Sequence, residues 1–228
     1  MDWAHARDLQ KYSQVLAEHP ADIWVLTETR DLVNPPGQRY HVRGPDRPRD
    51  DLNKWTQDSR WVSIWSRWPM QTIETKADPT RVVCGRVEVP GTRPLLVYGT
   101  VLPWNSDNLY ADKSAKIDAV RRQIGEWRQV RAAHSDCHLI VAGDFNQFMA
   151  PQKSNDTLQG AIESGLRELH VTCLTSAARI ANRWPHKVID HIAVSNDLAG
   201  QFSFKEAWNA IPNLTDHGGI IVSGVMVE

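Results

Sequence analysis

His138-Leu139-Ile140-Val141-Ala142-Gly143-Asp144-Phe145-Asn146 is an apolar run that ends in a glycine, a carboxylate and an amide. An uninterrupted apolar run of this length is the pattern of a strand covered on both faces, so 138–142 predicts a short buried strand with acid chemistry at its end. Thr215-Asp216-His217-Gly218 stands in the same way beside the apolar Gly219-Ile220-Ile221-Val222. Two more stretches share the pattern, Asp22-Ile23-Trp24-Val25-Leu26-Thr27-Glu28 and Val188-Ile189-Asp190-His191. Together they put carboxylates and a histidine at several strand ends, where a divalent cation would hold them together.

Outward from these stretches the chain reads as strands with a few helices. Leu9, Tyr12, Val15 and Leu16 recur at helical spacing within 5–18, and Pro20 stops that helix. Ile117, Val120, Ile124 and Trp127 predict a second helix over 110–131, with a weaker one over 157–166. Strands are expected over 23–26, 61–65, 82–89, 95–101, 188–194, 202–208 and 220–227, with 82–89 broken by Cys84-Gly85-Arg86. Residues 31–60, rich in Pro, Gly, Arg and Asp, read as a long mobile surface segment. Strands in hairpin succession with helices between them predict an α+β or mixed layered fold.

The 228 residues suit one domain over 1–228 rather than two. The 26 basic and 27 acidic residues nearly cancel, so no global field draws the chain to nucleic acid or to an anionic membrane, and any such contact is local. Cys84, Cys137 and Cys173 form no CxxC pair and read as buried thiols, not as a disulfide framework or zinc knuckle. No apolar run approaches the roughly 20 residues of a membrane span, and the first residues do not resemble a signal peptide. A soluble cytoplasmic protein, monomeric and without stable membrane association, is the expectation.

Each acid has an ordinary structural reading. Asp144 and Asn146 after a strand commonly serve only as turn residues, and Glu28 would be a plain surface acid. Asp190 lies among apolar residues on both alternating faces, and a buried carboxylate needs a partner. His217 is available, although such a pair could merely stabilise the core. Glu28, Asp144, Asn146, Asp190, Asp216 and His217 form an oxygen-rich set, which suits Mg²⁺ or Mn²⁺ better than zinc. The chain has no GxSxG elbow, P-loop, GxGxxG turn or HExxH helix to suggest another chemistry.

In their order these motifs resemble the endonuclease/exonuclease/phosphatase superfamily, which includes DNase I and exonuclease III-like abasic-site endonucleases. Leu26-Thr27-Glu28-Thr29, Gly143 to Asn146, Ile189-Asp190-His191-Ile192 and Thr215-Asp216-His217 match four family motifs. The resemblance implies a four-layer αββα sandwich with the site at one edge of the sheets. It implies that Glu28 binds the metal, that Asp216 helps hold it or sets the terminal loop, and that Asp144 orients or deprotonates the attacking water. Asn146 would contact the scissile phosphate, and His217, paired with Asp190, would hydrogen-bond phosphoryl oxygens.

The family's first strand, which ends in a metal-site Asn, has no counterpart in this sequence, where Met1 to His5 begin just beyond its expected place. The expectation is an upstream translation start rather than a variant lacking a central strand, because that loss would leave backbone groups unpaired inside a sheet. Relatives place a catalytic Tyr or His near the end of the strand at 98–104. Here Tyr98 is expected to pack in the core, while Trp104 and Asn105 would line the site.

A nuclease acting on DNA or RNA is the leading expectation. Arg39, Arg43, Arg47 and Arg49, with Trp55 nearby, could grip a phosphate backbone, but the acids among them favour a solvated loop of mixed charge. Arg183 and Trp184, just before the Asp190 strand, are better candidates for substrate contact. The alternatives are a lipid or small-molecule phosphoesterase, sphingomyelinase-like or inositol-phosphatase-like, and a non-catalytic binding module. Asp190-His191, where inositol phosphatases usually carry Asp-Arg, counts against that branch.

Overall fold

The structure is a computed structural model that describes residues 9–47, 58–150, 157–181, 183, 184, 186, 188–209, 211, 215 and 217–226. Helix α1 (Leu9–Glu18) leads into β1 (Ile23–Arg30), followed by β2 (Tyr40–Arg43), β3 (Ser59–Ser66), β4 (Met70–Ile73), β5 (Val82–Val87) and β6 (Leu95–Val101). Helix α2 (Lys113–Ala133) crosses to β7 (His138–Asp144). The chain continues through α3 (Leu158–Glu168), β8 (Val171–Cys173), α4 (Ala177–Ile180), β9 (Asp190–Ser195), α5 (Asn196–Ala199), β10 (Phe202–Ala207) and β11 (Ile220–Gly224).

One sheet has six strands in the order β4-β5-β6-β7-β9-β8. Its β6–β7 pair is parallel, as a strand-helix-strand crossover through α2 requires, and its other pairs are antiparallel. Ile117, Val120, Ile124 and Trp127 of α2 and Ile162 and Leu166 of α3 bury the outer face of this sheet against Tyr98, Leu139 and Val141. The inner face packs Val97, Val101 and Val194 on Val62, Ile64, Val25, Phe202 and Val222 of the second layer. Tyr12 and Leu16 of α1 cover that layer from outside, against Trp24, Leu26 and Trp65. Helix, sheet, sheet, helix is thus the order of layers, the expected DNase I-like sandwich.

The second layer comes in two pieces, β1-β3-β2 and the hairpin β10-β11. Among the described residues β1 pairs only with β3, and β11 only with β10. Trp208, stacked on His19 with ring centroids 4.0 Å apart, ties the hairpin to the end of α1.

Several expectations change. Strand β5 runs through Cys84-Gly85-Arg86 without a break, because Gly85 pairs with both Thr72 and Val97. The 31–60 stretch is not all loop: β2 lies within it, and the chain beyond stays on β3 through Gly44 N–H to Val62 O (3.0 Å) and Arg47 N–H to Ser59 O (2.9 Å). Strands β4 and β8 had no clear sequence signal, being short edge strands with mixed polarity. Cys84 and Cys137 are buried, whereas Cys173 is only half-buried.

Candidate active site

The C-terminal end of β7 organises the site, and each residue of Gly143-Asp144-Phe145-Asn146 has a separate physical role. Gly143 has φ of +132°, and a Cβ there would stand 2.1 Å from the Thr100 carbonyl oxygen of parallel β6, so no side chain fits. Phe145 is fully buried, and its N–H donates to Ile189 O (2.9 Å), which sets the strand end. Asn146 takes φ of +53°, a left-handed conformation that Asn tolerates. Its N–H donates to Asp144 Oδ1 (2.7 Å), and its Nδ2 donates to Leu102 O (2.9 Å).

Asp144 and Asp190 are direct partners across antiparallel β7 and β9. Like charges placed opposite one another in this way repel. Asp144 is 3% exposed. Burial first, and then the Asp190 charge, push its carboxyl up to about 8, against a smaller opposing pull from His217. His217 Nδ1 lies 2.6 Å from Asp190 Oδ2, and its Nε2 lies 3.9 Å from Asp144 Oδ2. Burial alone would lower the imidazole, but the hydrogen bond and charge of Asp190, helped by Asp144, outweigh it and raise His217 to about 9. At neutral pH, Nδ1–H therefore donates to Asp190 and Nε2–H is turned toward Asp144. Gly218 and Gly219 follow because the chain passes Trp208 closely: a Cβ on Gly219 would stand 2.0 Å from the indole.

Glu28 lies in β1 between the Thr27–Val62 and Thr29–Arg60 pairs, with φ of +49°. A left-handed glutamate inside a strand is strained, and such strain gathers at functional positions. Glu28 is close enough to Asp144 for its charge to add to the rise of that carboxyl. Arg47 Nη2 stands 3.4 Å from Glu28 Oε1. Sequence reasoning placed this arginine in a solvated loop, yet it is 8% exposed and lies over Trp61, 3.2 Å from the ring centroid. The signal available was weak, an arginine among prolines with an isolated Trp further along.

Glu28, Asp144, Asn146, Asp190 and His217 thus belong to one neighbourhood, and Asp216 lies outside the described residues. Trp104 is half-buried, tilted against Trp61 at 6.2 Å and reached by the Arg81 guanidinium at 4.9 Å, which makes it a packing residue beside the site. Asn105 is exposed, and its carbonyl accepts from Lys116 Nζ. Tyr98 packs in the core as expected, donating its hydroxyl to Glu126 (2.5 Å). Arg183 donates to the Phe204 carbonyl of β10 (2.7 Å), and Trp184 meets His186 edge to face at 5.1 Å. Arg49 and Trp55 lie outside the described residues.

His191, next to Asp190, is a structural residue. Its Nε2–H donates to Gln147 O (3.0 Å) and its Nδ1 accepts from Thr175 Oγ1 (3.0 Å), while burial lowers it to about 4 and keeps it neutral.

Two observations fit the set to a divalent cation. The donors are mainly carboxylate and amide oxygens, and the charges of Asp190 and Glu28, which add to the rise that burial gives Asp144, are ones a cation would offset. Among the described residues, His134, Asp136 and Cys137 also bring ligand atoms within 4.8 Å of one another. That trio stands at the opposite end of β7, where Arg86 already bonds Asp136 (2.7 Å) and Cys137 Sγ (3.0 Å).

The sequence profile of the Endonuclease/Exonuclease/phosphatase family matches residues 5–217. The chain belongs to this family. No curated protein sequence matches it. Among solved structures, the 3′ phosphatase NExo from Neisseria bound to a product DNA hairpin is similar at 16% identity and a TM-score of 0.63, over 97% of this chain and 95% of that one. An AP endonuclease from Archaeoglobus fulgidus is similar at 14% identity and a TM-score of 0.63, over 99% and 97%. A mannosyl-6-phosphatase from Bacteroides thetaiotaomicron is similar at 16% identity and a TM-score of 0.62, again over 99% and 97%. At these identities the likeness is one of fold, and the family member described here has the phosphoesterase architecture its motifs imply. Among the described residues no helix is long and apolar enough to cross a membrane.

Proposed function

We propose that this protein is a divalent-metal-dependent phosphodiesterase that hydrolyses phosphodiester bonds of DNA or RNA. The observation that carries the reading is the Asp190–His217–Asp144 alignment. A charged imidazole oriented by one half-buried acid faces a second, buried one, and an oxygen beside both could hydrogen-bond to each.

In this reading Glu28 and Asp216 hold Mg²⁺ or Mn²⁺, which when bound supplies positive charge at a phosphoryl oxygen and at the leaving oxygen. Asp144 accepts the proton of the attacking water once the local charge keeps it ionised. Asn146, fixed by the hydrogen bond its Nδ2 donates to Leu102 O, contacts the scissile phosphate. His217 donates through Nε2–H to a phosphoryl oxygen whose charge grows in the transition state, and Asp190 keeps it protonated and aimed. The water oxygen bonds to phosphorus, the ester oxygen leaves, and no covalent enzyme intermediate forms.

Nucleic acid as substrate draws support from the DNA-bound phosphatase and the AP endonuclease among the similar folds. The near-neutral charge of the chain and the equally similar sugar phosphatase favour a small phosphate ester as the second reading. Hydrolysis assays with Mg²⁺ or Mn²⁺ on single-stranded DNA, duplex DNA, RNA, sphingomyelin, inositol phosphates and sugar phosphates separate the two. Turnover of sugar phosphates alone would overturn the nuclease reading.

A further inference from the structure

We propose that Arg47 is a phosphate-binding residue, its guanidinium taking an oxygen of the substrate phosphoryl group beside Glu28. The inference rests on the phosphoesterase reading of the site. Two buried arginines flank Trp61, itself 1% exposed. Arg81 reaches the ring at 4.6 Å and has its own acid, Asp107, at 2.5 and 3.4 Å through both terminal nitrogens. This closed pair is a structural one.

Arg47 is placed differently. Its backbone N–H is pinned to Ser59 O and its guanidinium sits over the Trp61 ring, 3.2 Å from the centroid, a cation–π contact that restrains the fork before any ligand arrives. Glu28, a carboxylate neighbour at 3.4 Å, is the residue proposed for the metal. A carboxylate that gives its charge to a divalent cation neutralises a guanidinium less, and a desolvated guanidinium favours an added anion. The reaction brings one in the form of a phosphoryl oxygen, for which the guanidinium fork is well shaped. Arg47 thus stands beside Glu28, whose charge acts on Asp144, while His217 lies between Asp144 and Asp190.

The test uses the full chain and two simple ions. Mn²⁺ affinity is measured by electron paramagnetic resonance, and inorganic phosphate is then titrated calorimetrically into Mn²⁺-saturated wild type, Arg47→Met and Arg47→Lys. Arg47→Met should lose at least about tenfold in phosphate affinity without weaker Mn²⁺ binding, and Arg47→Lys, which keeps charge but not the fork, should lose severalfold. Unchanged phosphate affinity in Arg47→Met overturns the proposal, as does a Mn²⁺-saturated wild type that binds no phosphate. If circular dichroism shows Arg47→Met unfolded, Arg47→Lys decides in the same way. Failure of the nuclease reading appears separately, in the hydrolysis assays, and leaves the phosphate titration standing.

Discussion

Asp144 and Asp190 face each other in register across β7 and β9, and His217, 2.6 Å from one and 3.9 Å from the other, is the cation between them. Two carboxylates at one cross-strand position are tolerated because a protonated imidazole, and the proton that Asp144 keeps up to about pH 8, reduce their repulsion.

Asp144→Asn keeps the shape and removes the carboxylate proposed as the base. Turnover should fall at least about 10²-fold. Above about pH 8, where Asp144 is ionised, the metal-free variant should melt no lower than its parent, since a repelling charge has gone. Steady-state kinetics and calorimetric melting check both halves, and activity within a few-fold of the parent would remove Asp144 from its role.

His217→Ala should cost about 10²-fold in rate if Nε2–H stabilises phosphoryl charge. Asp190→Asn acts through His217. Without the carboxylate the imidazole returns toward its ordinary range, and the alkaline limb of the pH–rate profile should move to lower pH. A profile that does not move would mean that the pair is merely structural.

Glu28→Gln should raise the metal concentration needed for half-maximal activity, read from a Mg²⁺ titration. An unchanged titration would take Glu28 out of the ligand set.

The metal-free protein should lose stability as pH rises. His217, raised to about 9, keeps a proton in the folded state that the unfolded chain sheds near 6.5, so its contribution is full below 6.5 and gone above 9. Asp144, raised to about 8, keeps a proton that the unfolded chain sheds near 4, so it too lowers stability until about pH 8. Each group contributes a slope of up to about 1.4 kcal/mol per pH unit within its window. Denaturant unfolding at pH 6.5, 7.5 and 8.5 should show the decline, and added Mg²⁺ should reduce it. A flat profile would contradict both shifts.

Gly143→Ala should destabilise by about 3 kcal/mol or more, because the new Cβ meets the Thr100 carbonyl and φ is unfavourable to an L side chain. Thermal melting checks this, and a change within about 0.5 kcal/mol would show that the β6–β7 spacing yields.

Periodicity and local composition were sufficient for much of this protein. The 138–144 strand end, the α2 stripe Ile117-Val120-Ile124-Trp127 and the Asp190 strand follow from patterns that depend on neighbours in the chain. The pairing of His217 with Asp190 was also legible, because an acid inside an apolar strand needs a partner. Tertiary structure alone decided the rest. Glu28 in a left-handed strand position, Asp144 opposite Asp190 in register, and Arg47 seated over Trp61 all depend on which distant strands lie side by side. The shifts of Asp144 and His217 arise in the same way, since burial and charge at a few ångströms are properties of the assembled layers.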